Sequence, residues 1–174
     1  MNAAIAETTP RARKTSMSDI RIVRDYPHPP AKVWRALTDP ALIALWGMRP
    51  EGFAPVAGTR FKLVARPQPG WRGFVECEVL EVREPSMIRY SWIGDDDGKN
   101  KTQVTWSLAP NGAGTRLTFE HTGFSGVGGF LLARLIMRPG WKAMLSRALV
   151  AVLDDMDESG RLRAGSTLEP KFKA

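Results

Sequence analysis

The chain has 174 residues, with 25 Lys and Arg against 18 Asp and Glu, a formal net charge of +7. This length suits one domain with a sizeable core, and the single cysteine, Cys77, excludes an intrachain disulfide framework. The excess charge is +2 in residues 1–18, +3 in residues 161–174 and only +2 in residues 19–160. Because neither end interleaves a dense basic run with aromatic residues, we expect no binding to nucleic acid.

We expect three parts along the chain: a flexible basic arm at residues 1–18, one folded domain at residues 19–160 and a basic C-terminal tail at residues 161–174. We expect both ends to be removable without unfolding the domain. The sequence contains no run of about 18 apolar residues, so no transmembrane helix is predicted. The first residues lack the apolar core of a secretory signal, so we predict a cytoplasmic protein.

The first predicted elements are a strand and two short helices. Ile20 and Ile22 alternate with polar residues in a strand at residues 19–26. A helix then starts after Pro29 and ends near residue 39, because proline is favoured at the first helical position. A second helix spans residues 40–46 and ends at Gly47.

From residue 58 onward the apolar period changes to two. Five strands are predicted, at residues 58–65, 71–83, 87–93, 102–108 and 115–121, with short turns between them. The alternation slips near Leu80, which predicts a β-bulge. The acidic run at residues 95–98 is predicted to be a hairpin turn. Such an antiparallel meander has one apolar face, which another element must cover.

The element that covers the sheet is predicted to be a C-terminal helix at residues 140–158. Its apolar stripe repeats at intervals of three or four residues and includes Trp141, Leu145, Leu149, Val152 and Met156. A one-faced sheet and an amphipathic helix bury each other. The sequence therefore predicts an α+β fold, a curved antiparallel sheet wrapped around a long C-terminal helix.

Several segments in this order resemble a known family. They are residues 30–40, 58–61, 73–76, 82–85, 88–92 and 114–124, and the pair Gly140-Trp141. Over residues 19–158 the chain resembles the START/birch-pollen-allergen-like (SRPBCC) superfamily. Its closest resemblance is to the bacterial homologues of the C-terminal domain of the ATPase activator of the 90-kDa heat-shock chaperone. The resemblance implies a helix-grip fold with an apolar cavity between the sheet and the C-terminal helix.

Three functions are compatible with this resemblance. The first is non-catalytic binding of a small hydrophobic or aromatic ligand in the cavity, which the six tryptophans favour. The second is a co-chaperone-like module that stimulates a chaperone ATPase. The third is a cyclase or hydrolase that uses His121 as an acid or base. No motif in the sequence predicts a catalytic residue, a metal site or a cofactor.

The predicted ligand-binding residues lie at inward positions of the strands and on the helix stripe. For His121 and Cys77 the alternative is a purely structural place in the core, where a lone inward histidine or cysteine more often packs. The predicted set is Trp92, Trp106, His121, Trp141 and Leu145, followed by Phe61, Cys77 and Tyr90, with Phe130 and Leu131 as a lid.

One segment departs from the family pattern. Between Phe124 and Trp141 the family usually has a polar connector, but here residues 130–137 contain six large apolar side chains. This segment is compatible with an extra core helix, with a homodimer surface through residues 127–138, or with a lid that meets a hydrophobic ligand or a membrane surface.

Overall fold

A computed structural model describes residues 17–94 and 101–172 of the chain. The predicted hairpin turn at residues 95–98 and nearly all of the predicted N-terminal arm lie outside the described residues.

Within the described residues, seven strands form one antiparallel sheet in the order β1-β7-β6-β5-β4-β3-β2. The order places β1 and β2, which are neighbours in sequence, at opposite edges. The strands are β1 (Ile20–Tyr26), β2 (Arg49–Glu51), β3 (Arg60–Val64), β4 (Phe74–Arg83), β5 (Met87–Ile93), β6 (Lys101–Asn111) and β7 (Gly114–Thr122).

Two short helices connect β1 to β2, as predicted. Helix α1 (Pro30–Thr38) and helix α2 (Pro40–Trp46) each begin with proline. The side chain of Asp39 caps α2 by accepting a 2.9 Å hydrogen bond from the amide of Ala41. The indole Nε1–H of Trp46 donates to the carbonyl of Ala36 at 2.9 Å, so this buried contact fixes the angle between the two helices.

The C-terminal helix, named α3 here, is longer than predicted. It begins at Gly126, continues through two π-helical turns and ends at Asp155, with helical backbone angles at each junction. The predicted start at residue 140 was wrong, because the helix already includes the glycine-containing segment from Gly126 and continues through Pro139. Its α-helical parts are Gly126–Leu132, Arg138–Ala143 and Leu149–Asp155, and its π-helical turns are Ala133–Met137 and Met144–Ala148.

The first π-helical turn explains how the helix tolerates Pro139. Proline has no N–H to donate to the carbonyl four residues earlier, and its ring collides with that carbonyl in a regular α-helix. Here the amide of Arg138 donates five residues back, to the carbonyl of Ala133. The wider turn moves the backbone ahead of the proline, and the helix continues.

The predicted packing of the sheet on the helix is confirmed. The inward positions of β4 to β7 are buried, as is the α3 stripe of Trp141, Leu145, Leu149 and Val152. The predicted bulge is also confirmed, because the register between β4 and β5 shifts between Val79 and Glu81. The fold is the predicted α+β helix grip, in which a curved antiparallel sheet holds the long helix.

The strand β2 was not predicted. It consists of three residues that pair with the end of β3, with Pro50 opposite Leu63. Proline cannot donate to a ladder and is confined to edge strands, and β2 is indeed an edge. Residues after the helix also contact the domain: Met156 bridges to Leu162, and the amide of Lys171 donates to the carbonyl of Ala44 at 3.0 Å.

Candidate functional site

The candidate site is an apolar pocket between the inner face of the sheet, helices α1 and α2, and helix α3. Tyr90, Trp92 and Trp106 come from β5 and β6, because the strand period of two turns these side chains inward. Trp141 and Met144 come from α3. The full lining is Leu37, Ile43, Trp46, Gly47, Met48, Phe53, Phe61, Leu63, Tyr90, Trp92, Trp106, Trp141 and Met144.

Aromatic side chains fill most of this space. Trp106 contacts Trp46 edge-on at 5.6 Å and Trp141 at 5.7 Å, measured between ring centroids. Trp92 contacts Trp141 at 5.3 Å. The free volume that remains is about 30 Å³, room for roughly one or two water molecules. A larger guest therefore has to move side chains aside.

The side chains best placed to move lie at the mouth of the pocket. Met48, Phe53 and Met144 are only partly buried, whereas the four tryptophans of the lining, which form its floor, are almost fully buried. Methionine is unbranched and adapts readily to irregular space. The side chains at the mouth should therefore move more easily than the buried aromatic side chains of the floor.

Tyr90 provides the polar group of the pocket. Its hydroxyl accepts a 2.9 Å hydrogen bond from the Nε1–H of Trp106. Among the described residues, no acceptor takes the hydroxyl proton of Tyr90. Burial, with a smaller contribution from the nearby Cys77 thiol, raises the pKa of Tyr90. The phenol therefore remains protonated and presents an unused donor beside an apolar space.

His121 lies beneath the pocket and does not line it. It is fully buried, and its two ring nitrogens contact protein groups. Trp141 Nε1–H lies 3.1 Å from Nδ1, and the hydroxyl of Thr102 lies 2.8 Å from Nε2. An indole can only donate, so Nδ1 accepts and the proton of the neutral ring is on Nε2. The Nε2–H then donates to Thr102, which in turn donates to the carbonyl of Trp92 at 3.0 Å.

These hydrogen bonds determine whether His121 can act as an acid or base. Burial lowers its pKa to about 3, and neither ring nitrogen is available to a guest while the hydrogen bonds are intact. A general base needs a free nitrogen within hydrogen-bond reach of its substrate. The arrangement is that of a neutral group that orients Trp141 and Thr102.

The other predicted site residues are placed as follows. Leu145 is fully buried against the sheet and is not part of the pocket lining. Cys77 is buried, and burial followed by the charge of Glu76 raises the pKa of its thiol, which keeps the sulfur protonated and unreactive. Phe130 and Leu131 lie on the first part of α3, where Leu131 is exposed to solvent.

Sequence reasoning identified the strand residues of the pocket but missed its other wall. Met48 and Phe53 lie in a non-periodic stretch, so no pattern pointed to them. Thr102 could have been found, because it shares the inward alternation of Val104 and Trp106.

A second cleft, of about 680 Å³, lies on the outer face of β3 to β5, where Arg60 and Glu78 pair at 3.2 Å.

In residues 17–94 and 101–172 no three His, Cys, Asp or Glu side chains are grouped so as to hold a metal ion. No helix in the same ranges is long and apolar enough to cross a membrane.

The fold and the pocket define a helix-grip protein with an aromatic site between sheet and helix. The chain belongs to the family of Activator of Hsp90 ATPase homolog 1-like proteins, whose model matches residues 27–154. This confirms the resemblance drawn from the sequence segments. No curated protein matches the chain significantly.

Solved structures agree with this assignment. The protein MLL2253 from Mesorhizobium loti is 33% identical, with a TM-score of 0.68 over 80% of this chain and 98% of its own. CalU16 from Micromonospora echinospora is 26% identical, with a TM-score of 0.62 over 78% of this chain and 74% of its own. A protein from Rhodobacter sphaeroides, 22% identical with a TM-score of 0.68 over 83% of this chain and 97% of its own, shares the fold.

Proposed function

We propose that the protein binds a small hydrophobic, preferentially aromatic, molecule in the pocket between the sheet and α3, without catalysing a reaction. The observation that carries the proposal is the lining itself: apolar and aromatic on all sides, with one unused donor at Tyr90. Ligand sites of this kind combine a mostly apolar wall with a few placed polar groups. Both ring nitrogens of His121 form hydrogen bonds within the protein, which argues against the cyclase or hydrolase alternative.

Binding would require the mouth to open. Displacing Met48 and Met144 toward solvent enlarges the pocket without disturbing the floor, because both residues are partly exposed. A flat guest would then stack on Trp92 or Trp106, while a carbonyl or ether oxygen on the guest accepts the proton of Tyr90. Apolar burial would provide the driving force, at roughly 25 cal/mol per Å² before the costs of association.

The test is a fluorescence titration with two naphthalenes of matched size, 2-acetylnaphthalene and 2-ethylnaphthalene. Both should quench tryptophan emission saturably, and the acetyl compound should bind about fivefold more tightly because a net hydrogen bond is worth about 1 kcal/mol. The variant Tyr90→Phe should lose this preference. Tyr26→Phe, which removes a buried hydroxyl outside the pocket, should retain it.

Two results would count against this proposal. Absence of saturable quenching by either compound would contradict binding in the pocket. An unchanged preference in Tyr90→Phe would remove Tyr90 from the site while leaving apolar binding in place.

Family membership supports a second candidate, a co-chaperone-like module, because the family is described by its likeness to an activator of the Hsp90 ATPase. In that case the outer surface of the domain, and not the pocket, would contact the chaperone. The discriminating measurement is the ATPase rate of a bacterial chaperone of the 90-kDa class with and without the protein. A rate that does not change, together with no co-precipitation, would exclude this candidate.

A further inference from the structure

The first half of α3 exposes apolar side chains to solvent. Val127, Leu131 and Leu135 are spaced by four and form one row, and Leu132 with Ile136 forms the neighbouring row. Their exposed fractions range from 41% to 78%. Five of the nine exposed large apolar residues in the described part of the chain fall in this ten-residue stretch. We call these five residues the apolar face.

A row of cations runs beside the apolar face. Arg134, Arg138 and Lys142 are also spaced by four, so they lie one above the other along the helix. The sequence has no acidic residue between Glu120 and Asp154. Among the described residues, no carboxylate pairs with these three cations.

We propose that this part of α3 docks on an anionic lipid surface. A helix that exposes an apolar face bordered by Lys and Arg lies in the plane of the membrane interface, where acyl chains receive the apolar side chains and lipid headgroups receive the cations. The lack of a carboxylate partner is the feature that specifies the surface, since it leaves the charge of the cations available to anionic headgroups. Arg134 lies over the ring of Phe130, 5.6 Å from its centroid, a contact that does not neutralise its charge. This proposal does not depend on ligand binding in the pocket.

Charge disfavours the predicted homodimer through the same face. In a twofold symmetric pair each surface meets its own copy, so two surfaces that both carry cations without carboxylates would face each other. Like charges at short distance repel, and no acidic residue on this half of the helix offsets them. An anionic surface removes this repulsion.

The apolar face also connects to the pocket. The row of Leu132 and Ile136 continues, at the same spacing of four, through Gly140 to Met144. Met144 is half-buried and lines the mouth of the pocket. Docking of α3 would therefore bring the mouth close to the lipid.

The test is co-sedimentation of the full chain with vesicles of phosphatidylcholine alone and with vesicles containing 30% phosphatidylglycerol. We expect clear preference for the anionic vesicles, weakened by salt. The pair Arg134→Gln with Lys142→Gln should reduce that binding by about thirtyfold, since each cation near an anionic surface contributes about 1 kcal/mol. The pair Leu135→Gln with Ile136→Gln should reduce it to the level of the neutral vesicles.

The control is Val56→Gln, which replaces an exposed valine in the loop before β3 and should leave binding unchanged. Equal binding to both vesicle types, or none, would overturn the proposal. A concentration-dependent dimer that Leu135→Gln with Ile136→Gln disperses, without vesicle binding, would assign the face to a second copy of the chain instead. All the changed residues are solvent-exposed, so folding should survive.

Discussion

The hydroxyl of Tyr26 on β1 donates a 2.8 Å hydrogen bond to the carbonyl of Leu145 on α3. In a regular α-helix that carbonyl would accept from the amide of Leu149, but in the second π-helical turn the Leu149 amide donates to Met144 instead. Tyr26 therefore supplies a donor where the wider turn withdraws one. The contact also ties the edge strand β1 to the middle of the helix.

We expect Tyr26→Phe to lower the free energy of unfolding by about 1–3 kcal/mol, because it leaves the Leu145 carbonyl buried without this donor. Urea denaturation measures the change. Val23→Thr, an exposed change on the same strand, serves as the control and should have little effect. Equal stability of Tyr26→Phe and the wild type would mean that the π-helical turn satisfies the carbonyl on its own.

The stability of the fold should decrease in acid because of His121. Its pKa is about 3 in the folded protein and about 6.5 in an unfolded chain. Between these values the unfolded state binds a proton that the folded state does not, so lowering the pH favours unfolding. The loss should be about 2 kcal/mol between pH 7 and pH 5, at about 1.4 kcal/mol per pH unit below 6.5.

Unfolding experiments at several pH values, on the wild type and on His121→Gln, measure this effect. Glutamine does not titrate, so the difference between the two pH profiles isolates the contribution of His121. Parallel pH profiles for the two proteins would show that His121 is not the source.

Replacing Thr102 tests the hydrogen bonds that join His121, Thr102 and the carbonyl of Trp92. In Thr102→Val the Nε2–H of His121 loses its acceptor in a buried place, and the carbonyl of Trp92 loses a donor. We expect a loss of about 1–3 kcal/mol in the free energy of unfolding. Thr105→Val, on the partly exposed face of the same strand, should change stability far less. Similar losses in both variants would attribute the effect to strand packing.

Lys32 stabilises the C-terminal end of α3. Its Nζ donates at 2.8 Å to the carbonyl of Met156, and the side chain is buried. A cation at this end of a helix also meets the negative end of the helix dipole. Lys32→Met keeps the length of the side chain but removes the charge, and we expect it to lower the thermal midpoint by several degrees. The exposed change Lys142→Met should not, and an equal shift in both would contradict the assignment.

The segment after α3 should add stability although it was expected to be a removable tail. Leu162 and Leu168 are partly buried against the core, and the Lys171 amide bonds to α2. Ending the chain at residue 160 should therefore leave a folded protein with a lower free energy of unfolding, by about 1–3 kcal/mol for the exposed apolar surface. Unchanged stability of that shortened chain would show that these contacts contribute nothing net.

Much of the fold could be predicted from the spacing of apolar residues, because this pattern depends only on residues that are close together in the sequence. The strand period of two placed Tyr90, Trp92 and Trp106 on the inner face, and the bulge near Leu80 was visible as a slip in that period. The long helix was underestimated, because its apolar stripe is clear only from Trp141 onward and no local pattern predicts the π-helical turn that precedes Pro139.

The site was less predictable because it joins groups from separate elements. His121 on β7, Thr102 on β6 and Trp141 on α3 form one hydrogen-bonded chain, and nothing local in the sequence determines which nitrogen of His121 is protonated. Likewise, the size of the pocket depends on how four tryptophans pack together, which composition suggests but cannot fix.

The strand order has a consequence for how the protein is made. Ile20 pairs with His121, so β1 leaves the ribosome about 100 residues before its partner strand exists. At synthesis rates of about 5–20 residues per second, β1 waits roughly 5–20 seconds with its apolar side uncovered. The β3 to β6 meander can meanwhile form from neighbouring hairpins. The edge of β7 should therefore be closed last, and the nascent chain should be most susceptible to aggregation or chaperone capture in the interval before it closes.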